Sequence, residues 1–163
     1  LPMLTGPRII LLMLAIFGAG IARGEYVARP VTTLSMDTAL ADAQKVAERR
    51  PGAMVLRIEG KSMLPFFGEG SVVVVRKIDP AKLRPGMVVV YTNRFGETVA
   101  HRLVAPAEGG WVVQGYNNAA TDSTLVNASN LTGVVYATFH SNGHTELNDL
   151  AARIPVALAA PAR

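Results

Sequence analysis

From Ala53 onward the chain is a succession of short β-prone runs, each bounded by glycine or proline, and that spacing leaves few folds open. Ala53 to Ile58 is the first run. Ser71 to Arg76 holds four consecutive valines after Gly68-Glu69-Gly70. Met87 to Tyr91 follows the turn Arg84-Pro85-Gly86, and Glu97 to Val104 follows Asn93-Arg94-Phe95-Gly96. Trp111 to Gln114 follows Gly109-Gly110, and Leu131 to Phe139 is the last clear run. Short β-branched runs separated by turn residues predict strands, and many of them at even spacing predict a barrel or coiled sheet. There is no alternation of strand and helix and no internal repeat. The expected fold is therefore mainly β, a barrel-like domain over residues 53–140.

The segments around this domain differ in character. Ser35 to Arg50 predicts a short amphipathic helix, because Leu40, Ala43, Val46 and Ala47 recur at helical spacing and Ser35 or Asp37 can cap its start. Pro51-Gly52 ends it, so residues 25–52 form a linker and helix. Residues 141–163 are expected to be a peripheral tail, Ala- and Pro-rich from Asn148. Residues 1–24 contain an uncharged, mostly apolar stretch from Ile9 to Ala22, flanked by Arg8 and Arg23. As a helix it would span about 21 Å, short of the roughly 30 Å of a bilayer's hydrocarbon core. It fits an N-terminal hydrophobic helix serving as a membrane anchor, a cleavable signal with Gly20-Ile21-Ala22 as its small residues, or a buried core helix. The first two place the remaining chain outside the cytoplasm, with membrane lipid as a partner.

Composition narrows the function. The net charge is +4, yet the basic residues are scattered and form no run beyond Arg49-Arg50, so no nucleic-acid partner is expected. The absence of cysteine removes disulfides, thiol nucleophiles and thiolate metal sites. Three histidines remain. His140 and His144, with Glu146 nearby, sit in a glycine-containing segment that lacks a third clear metal ligand, so no metal and no cofactor are expected. His101 lies instead within an expected strand. Ser62 stands between a strand and the apolar turn Met63-Leu64-Pro65-Phe66-Phe67, and Asp122 closes the polar stretch from Asn117. A serine hydroxyl becomes a nucleophile only when a base takes its proton, and that base need be near only in the fold. Residue types alone leave each position open: Ser62 and Asp122 as turn formers, His101 as a hydrogen-bonded structural residue.

The order of segments from Val55 to Phe139 resembles the catalytic domain of type I signal peptidases. Ser62-Met63-Leu64-Pro65 is similar to that family's nucleophile box, and Val99-Ala100-His101-Arg102-Leu103-Val104 to its base box in the His form. Gln114-Gly115-Tyr116-Asn117-Asn118, ending at Asp122, is similar to its acidic box, and Leu131-Thr132-Gly133-Val134-Val135 to its closing strand. The resemblance implies Ser62 as nucleophile, His101 as general base and Asp122 as the third catalytic residue. It implies the Ser62 backbone N–H as oxyanion donor and Met63, Leu64 and Pro65 as substrate contacts. The implied substrates are signal peptides of exported preproteins. With His101 as base, activity would rise through a limb at about pH 6–7. Two departures weaken the match. Gly60 replaces a serine that assists the oxyanion hole, and Tyr116 replaces one of the carboxylates around the base.

Two other readings stand beside it. Gly60-Lys61-Ser62-Met63 also resembles the start of self-cleaving repressor-type serine proteases, which use lysine as base and cut their own chain. A catalytically inactive, membrane-tethered β-domain that binds peptides is the non-enzymatic alternative.

Overall fold

The computed structural model describes residues 28–143 and 154–159. One helix, α1 (Met36–Glu48), precedes seven strands: β1 (Met54–Gly60), β2 (Ser71–Arg76), β3 (Val88–Thr92), β4 (Thr98–Ala107), β5 (Gly110–Gln114), β6 (Leu131–His140) and β7 (Val156–Ala159). The strands pair in the order β3-β6-β2-β1-β7-β4-β5, and β3 also pairs with β4. The first six of that order close into a ring, and β5 hangs on β4 outside it. The mainly-β, barrel-like expectation therefore holds.

The period of two in a strand explains how one valine run serves two cores. In β2, Val73 and Val75 point inward against Leu56, Ile58 and Val90. Val72 and Val74 point outward beneath Met36, Leu40 and Ala43 of α1. Both faces are buried, so the run has no polar alternation. The helix starts where the Ser35 hydroxyl accepts a hydrogen bond from the Thr38 N–H at 3.2 Å, offsetting one of the orphan donors of a helix start. A third cluster joins Val89 and Tyr91 of β3, Val99 and Leu103 of β4, and Val113 of β5. That cluster forms the wall on which the site is built.

The expected peripheral tail is corrected at β7. Val156–Ala159 lies inside the sheet, parallel to β1 with Arg57 opposite Val156 and Gly60 opposite Ala159. On its other side Leu158 faces Val99 of β4, again in parallel. No pairing joins β1 to β4 directly, so β7 is the strand that closes the ring between them. Ala157 and Ala159 are buried in the barrel interior. The apolar stretch 9–22 lies outside the described residues. Among the described residues no helix is long and apolar enough to cross a membrane.

Candidate active site

Ser62 sits in the turn that leaves β1. Met63 and Phe67 anchor this turn in the barrel interior, and the Glu69 N–H closes it onto the Gly60 carbonyl at 2.8 Å. The chain after β5 holds it from the other side. The Asn117 N–H donates to the Ser62 carbonyl at 2.6 Å, and the Asn117 side-chain amide donates to the Lys61 carbonyl at 3.2 Å. Gly115 lies so close that a Cβ there would stand 2.8 Å from the Ser62 Cβ. A serine backbone fixed on both sides leaves its Oγ a narrow choice of direction.

That direction is His101. Ser62 Oγ and His101 Nε2 are 2.8 Å apart, and His101 Nδ1 and Asp122 Oδ2 are 2.5 Å apart. Strand β4 brings the histidine there: Val99, His101 and Leu103 share one face, and the strand's register sets His101 opposite Val89. Asp122 comes from the loop after β5, pinned by its N–H to the Val113 carbonyl at 2.9 Å. The Ser62 and His101 residues are 3% and 1% exposed, so water does not compete for these hydrogen bonds. A carboxylate held against Nδ1–H leaves Nε2 as the acceptor facing the serine hydroxyl, the tautomer a general base requires.

Sequence reasoning missed a fourth residue. The Tyr91 hydroxyl donates to Asp122 Oδ2, the oxygen that also meets His101. Burial pushes the Tyr91 phenol far above its usual range, and the hydrogen bond and charge of Asp122 push it further. It therefore stays protonated and serves as a fixed donor. Tyr91 shares a face with Val89 across from His101, which strand alternation could have indicated. Its partner on a distant loop could not be read from spacing. Asp122 Oδ1, by contrast, is buried with no hydrogen-bond partner among the described residues.

Other expected site residues separate. Met63 is fully buried and packs in the same cluster as Ala157 and Ala159. Leu64 is buried beneath Gly68, and Pro65 is exposed. Tyr116 does not stand beside the base. Its ring lies 4.4 Å from that of Phe66 and under the Arg102 guanidinium at 4.9 Å, an outward patch. The carboxylate expected at that position is thus not replaced at the relay by Tyr116; Tyr91 supplies the extra contact from another strand. His140 meets Ser71 Oγ at 3.2 Å, and His144 and Glu146 lie outside the described residues. Among the described residues no group of three or more His, Cys, Asp or Glu could hold a metal ion.

Gly60 has a reason of its own. Its φ of +90° is left-handed, and a Cβ on it would run into the carbonyl of Ala159, 3.0 Å from that carbonyl's carbon. The Ser62 N–H, the expected oxyanion donor, points at the same group: it donates to the Ala159 carbonyl oxygen at 3.1 Å.

A β-barrel that buries a Ser–His–Asp chain of hydrogen bonds beside a backbone N–H aimed at a carbonyl has the fold and site of a serine peptidase. The chain belongs to the Peptidase S24-like family, whose model matches residues 18–135, most of the sequence and all three relay residues. A comparison with curated proteins gives no match.

Family membership corrects the resemblance to type I signal peptidases, and with it the expected cleavage of signal peptides; the membrane-spanning helix expected alongside it falls on residues outside those described. The physical reason is plain in the residues. Ser62-Met63 is common to both resemblances, and Gly60, a departure from the signal-peptidase pattern, fits the repressor-type start. The preference for the signal-peptidase reading over the repressor type rested on His101-Arg102 and the apolar N-terminus. His101 is placed by its contact with Ser62, and that contact says nothing of the substrate.

Proposed function

We propose that this protein is a serine endopeptidase of the self-cleaving type, in which Ser62 is the nucleophile, His101 the general base and Asp122 the group that orients the imidazole. The observation that carries this reading is the unbroken, buried chain from Ser62 Oγ through His101 to Asp122. In the proposed reaction Ser62 Oγ attacks a peptide carbonyl carbon while His101 Nε2 takes the hydroxyl proton. The imidazolium is stabilised by Asp122, whose Oδ2 is steadied by the Tyr91 hydroxyl. The Ser62 N–H meets the developing oxyanion, the kind of contact worth about 10²–10³ in rate in other proteases. His101 then returns its proton to the leaving amine, and water hydrolyses the acyl-serine.

Membership in the Peptidase S24-like family supports cutting within the protein's own chain. The base differs from the lysine expected of self-cleaving repressor proteases, since Nε2 of His101 is at hydrogen-bond distance from the serine. A dilution series of the pure protein tests the reading. A self-cut with one first-order rate constant at every concentration supports it. A rate that scales with concentration, or an equal cut in Ser62→Ala, contradicts it.

A further inference from the structure

We infer that the segment Val156–Ala159 is the protein's own substrate strand, and that Ser62 cuts the bond after Ala159. The inference rests on the serine-endopeptidase reading and adds where the cut falls. This segment lies beyond the family match, which ends at residue 135.

Four observations place it as a substrate. First, β7 is held by backbone pairing from both sides, β1 on one flank and β4 on the other. An extended peptide inserted between two strand edges is how sheets bind peptides without reading most side chains. Second, its path leads to the nucleophile. The Arg57 N–H donates to the Pro155 carbonyl at 2.9 Å, and the pairing runs on until the Ser62 N–H donates to the Ala159 carbonyl at 3.1 Å. The Ser62 N–H, the expected oxyanion donor, is thus already engaged by a peptide carbonyl. Third, Ala157 and Ala159 turn into the barrel, 0% and 1% exposed, against Ile58, Met63 and Phe67. Alternate small side chains fit a packed interior where larger ones would need Met63 or Phe67 to move. Fourth, Gly60 leaves no Cβ in the way of that carbonyl. A cleft lined by Lys61, Ser62, Asn117, Asn118, Leu158 and Ala159 opens at this point.

The step balances as an ordinary peptide hydrolysis. The Ser62 Oγ–Ala159 carbon bond forms, the hydroxyl proton passes to His101 Nε2, and the carbonyl oxygen takes negative charge against the Ser62 N–H. The Ala159 carbon to Ala160 nitrogen bond breaks, and the proton on His101 goes to that nitrogen. Water, deprotonated by His101, then releases Ser62 and leaves a carboxylate on Ala159. That new terminus stays between β1 and β4, so each molecule turns over once and its cleft is then filled by its own product.

The test is intact-mass analysis of the full chain, wild type beside Ser62→Ala, Ala160→Pro and Ala159→Arg. The wild type is expected to lose residues 160–163, and Ser62→Ala to keep them entirely. Ala160→Pro removes the N–H of the scissile amide and is expected to stay intact. Ala159→Arg cannot seat its side chain in the barrel, and its Ser62 is expected to react with a fluorophosphonate probe faster than in the uncut Ala160→Pro protein. A wild type that keeps residues 160–163 while Ser62 of Ala159→Arg takes the probe overturns the inference and leaves the serine-endopeptidase reading standing. An intact wild type with no probe on Ser62 in any variant removes both. Loss of residues 160–163 from Ser62→Ala as well overturns the inference, because the cut then comes from elsewhere.

Discussion

Replacing Gly60 by alanine tests how tightly β7 is pressed onto the site, and Gly86 supplies the control. Both glycines have nearly the same backbone angle, φ of +90° and +86°. A Cβ on Gly86 meets nothing within 4 Å, whereas one on Gly60 meets the Ala159 carbonyl. Forcing an L-residue into this conformation costs about 1–2 kcal/mol at either position. At Gly60 the overpacking against a backbone group adds about 1–3 kcal/mol, because a carbonyl held in a sheet cannot swing aside as a side chain can. Gly60→Ala is therefore expected to lose about 2–5 kcal/mol and Gly86→Ala about 1–2 kcal/mol. At roughly 2–4 °C per kcal/mol for a chain of this size, the melting temperature of Gly60→Ala falls about 2–12 °C below that of Gly86→Ala. Thermal unfolding followed by far-ultraviolet circular dichroism reads the difference, with both proteins in the Ser62→Ala background so that no cut intervenes. Equal losses in the two variants would refute the contact between Gly60 and Ala159.

Tyr91→Phe removes a donor from a buried carboxylate and is expected to slow the self-cut by about 10-fold or more, since hydrogen bonds to charged groups are worth about 1.5–3 kcal/mol and 1.36 kcal/mol is tenfold in rate; single-turnover kinetics by intact mass checks it. Leu40→Ala empties a fully buried position between α1 and β2; it is expected to cost about 2–5 kcal/mol in urea unfolding while the rate constant of the self-cut in the folded protein stays unchanged. Burial lowers the His140 pKa below 6.5, so the unfolded chain binds the proton first as pH falls. This contribution to stability is fully present above pH 6.5 and is lost as pH falls through the lower folded value; urea unfolding of His140→Gln between neutral and acid pH is expected to show a shallower decline than the wild type.

Much of the barrel was legible because its signals are local. The valines of β2, the turn at Pro85-Gly86 and the Gly109-Gly110 pair mark strand and turn within a few residues, and Ser35 marks the start of α1. Strand β7 was not legible. Val156-Ala157-Leu158-Ala159 carries two alanines, weak strand formers, and it becomes a strand because β1 and β4 each offer it an unpaired edge. Ser62, His101 and Asp122 could be named from the boxes around them, and the structure brings all three together. Tyr91 escaped notice because its partner Asp122 is far along the chain, and Tyr116 misled because an expected box position faces outward toward Phe66 and Arg102. Family identity escaped for a related reason: the residues of the Ser62 turn suit more than one peptidase family, and no local pattern carries the substrate.

The central claim is that Ser62, activated by His101, breaks a peptide bond in this chain. The most direct measurement is the time course of intact mass for wild type, Ser62→Ala and His101→Ala, each purified in full length and incubated alone. The account predicts a cut in the wild type only, with the two variants unchanged in mass and still folded by circular dichroism. Undiminished cutting in His101→Ala, or a wild type that stays whole throughout, would contradict it.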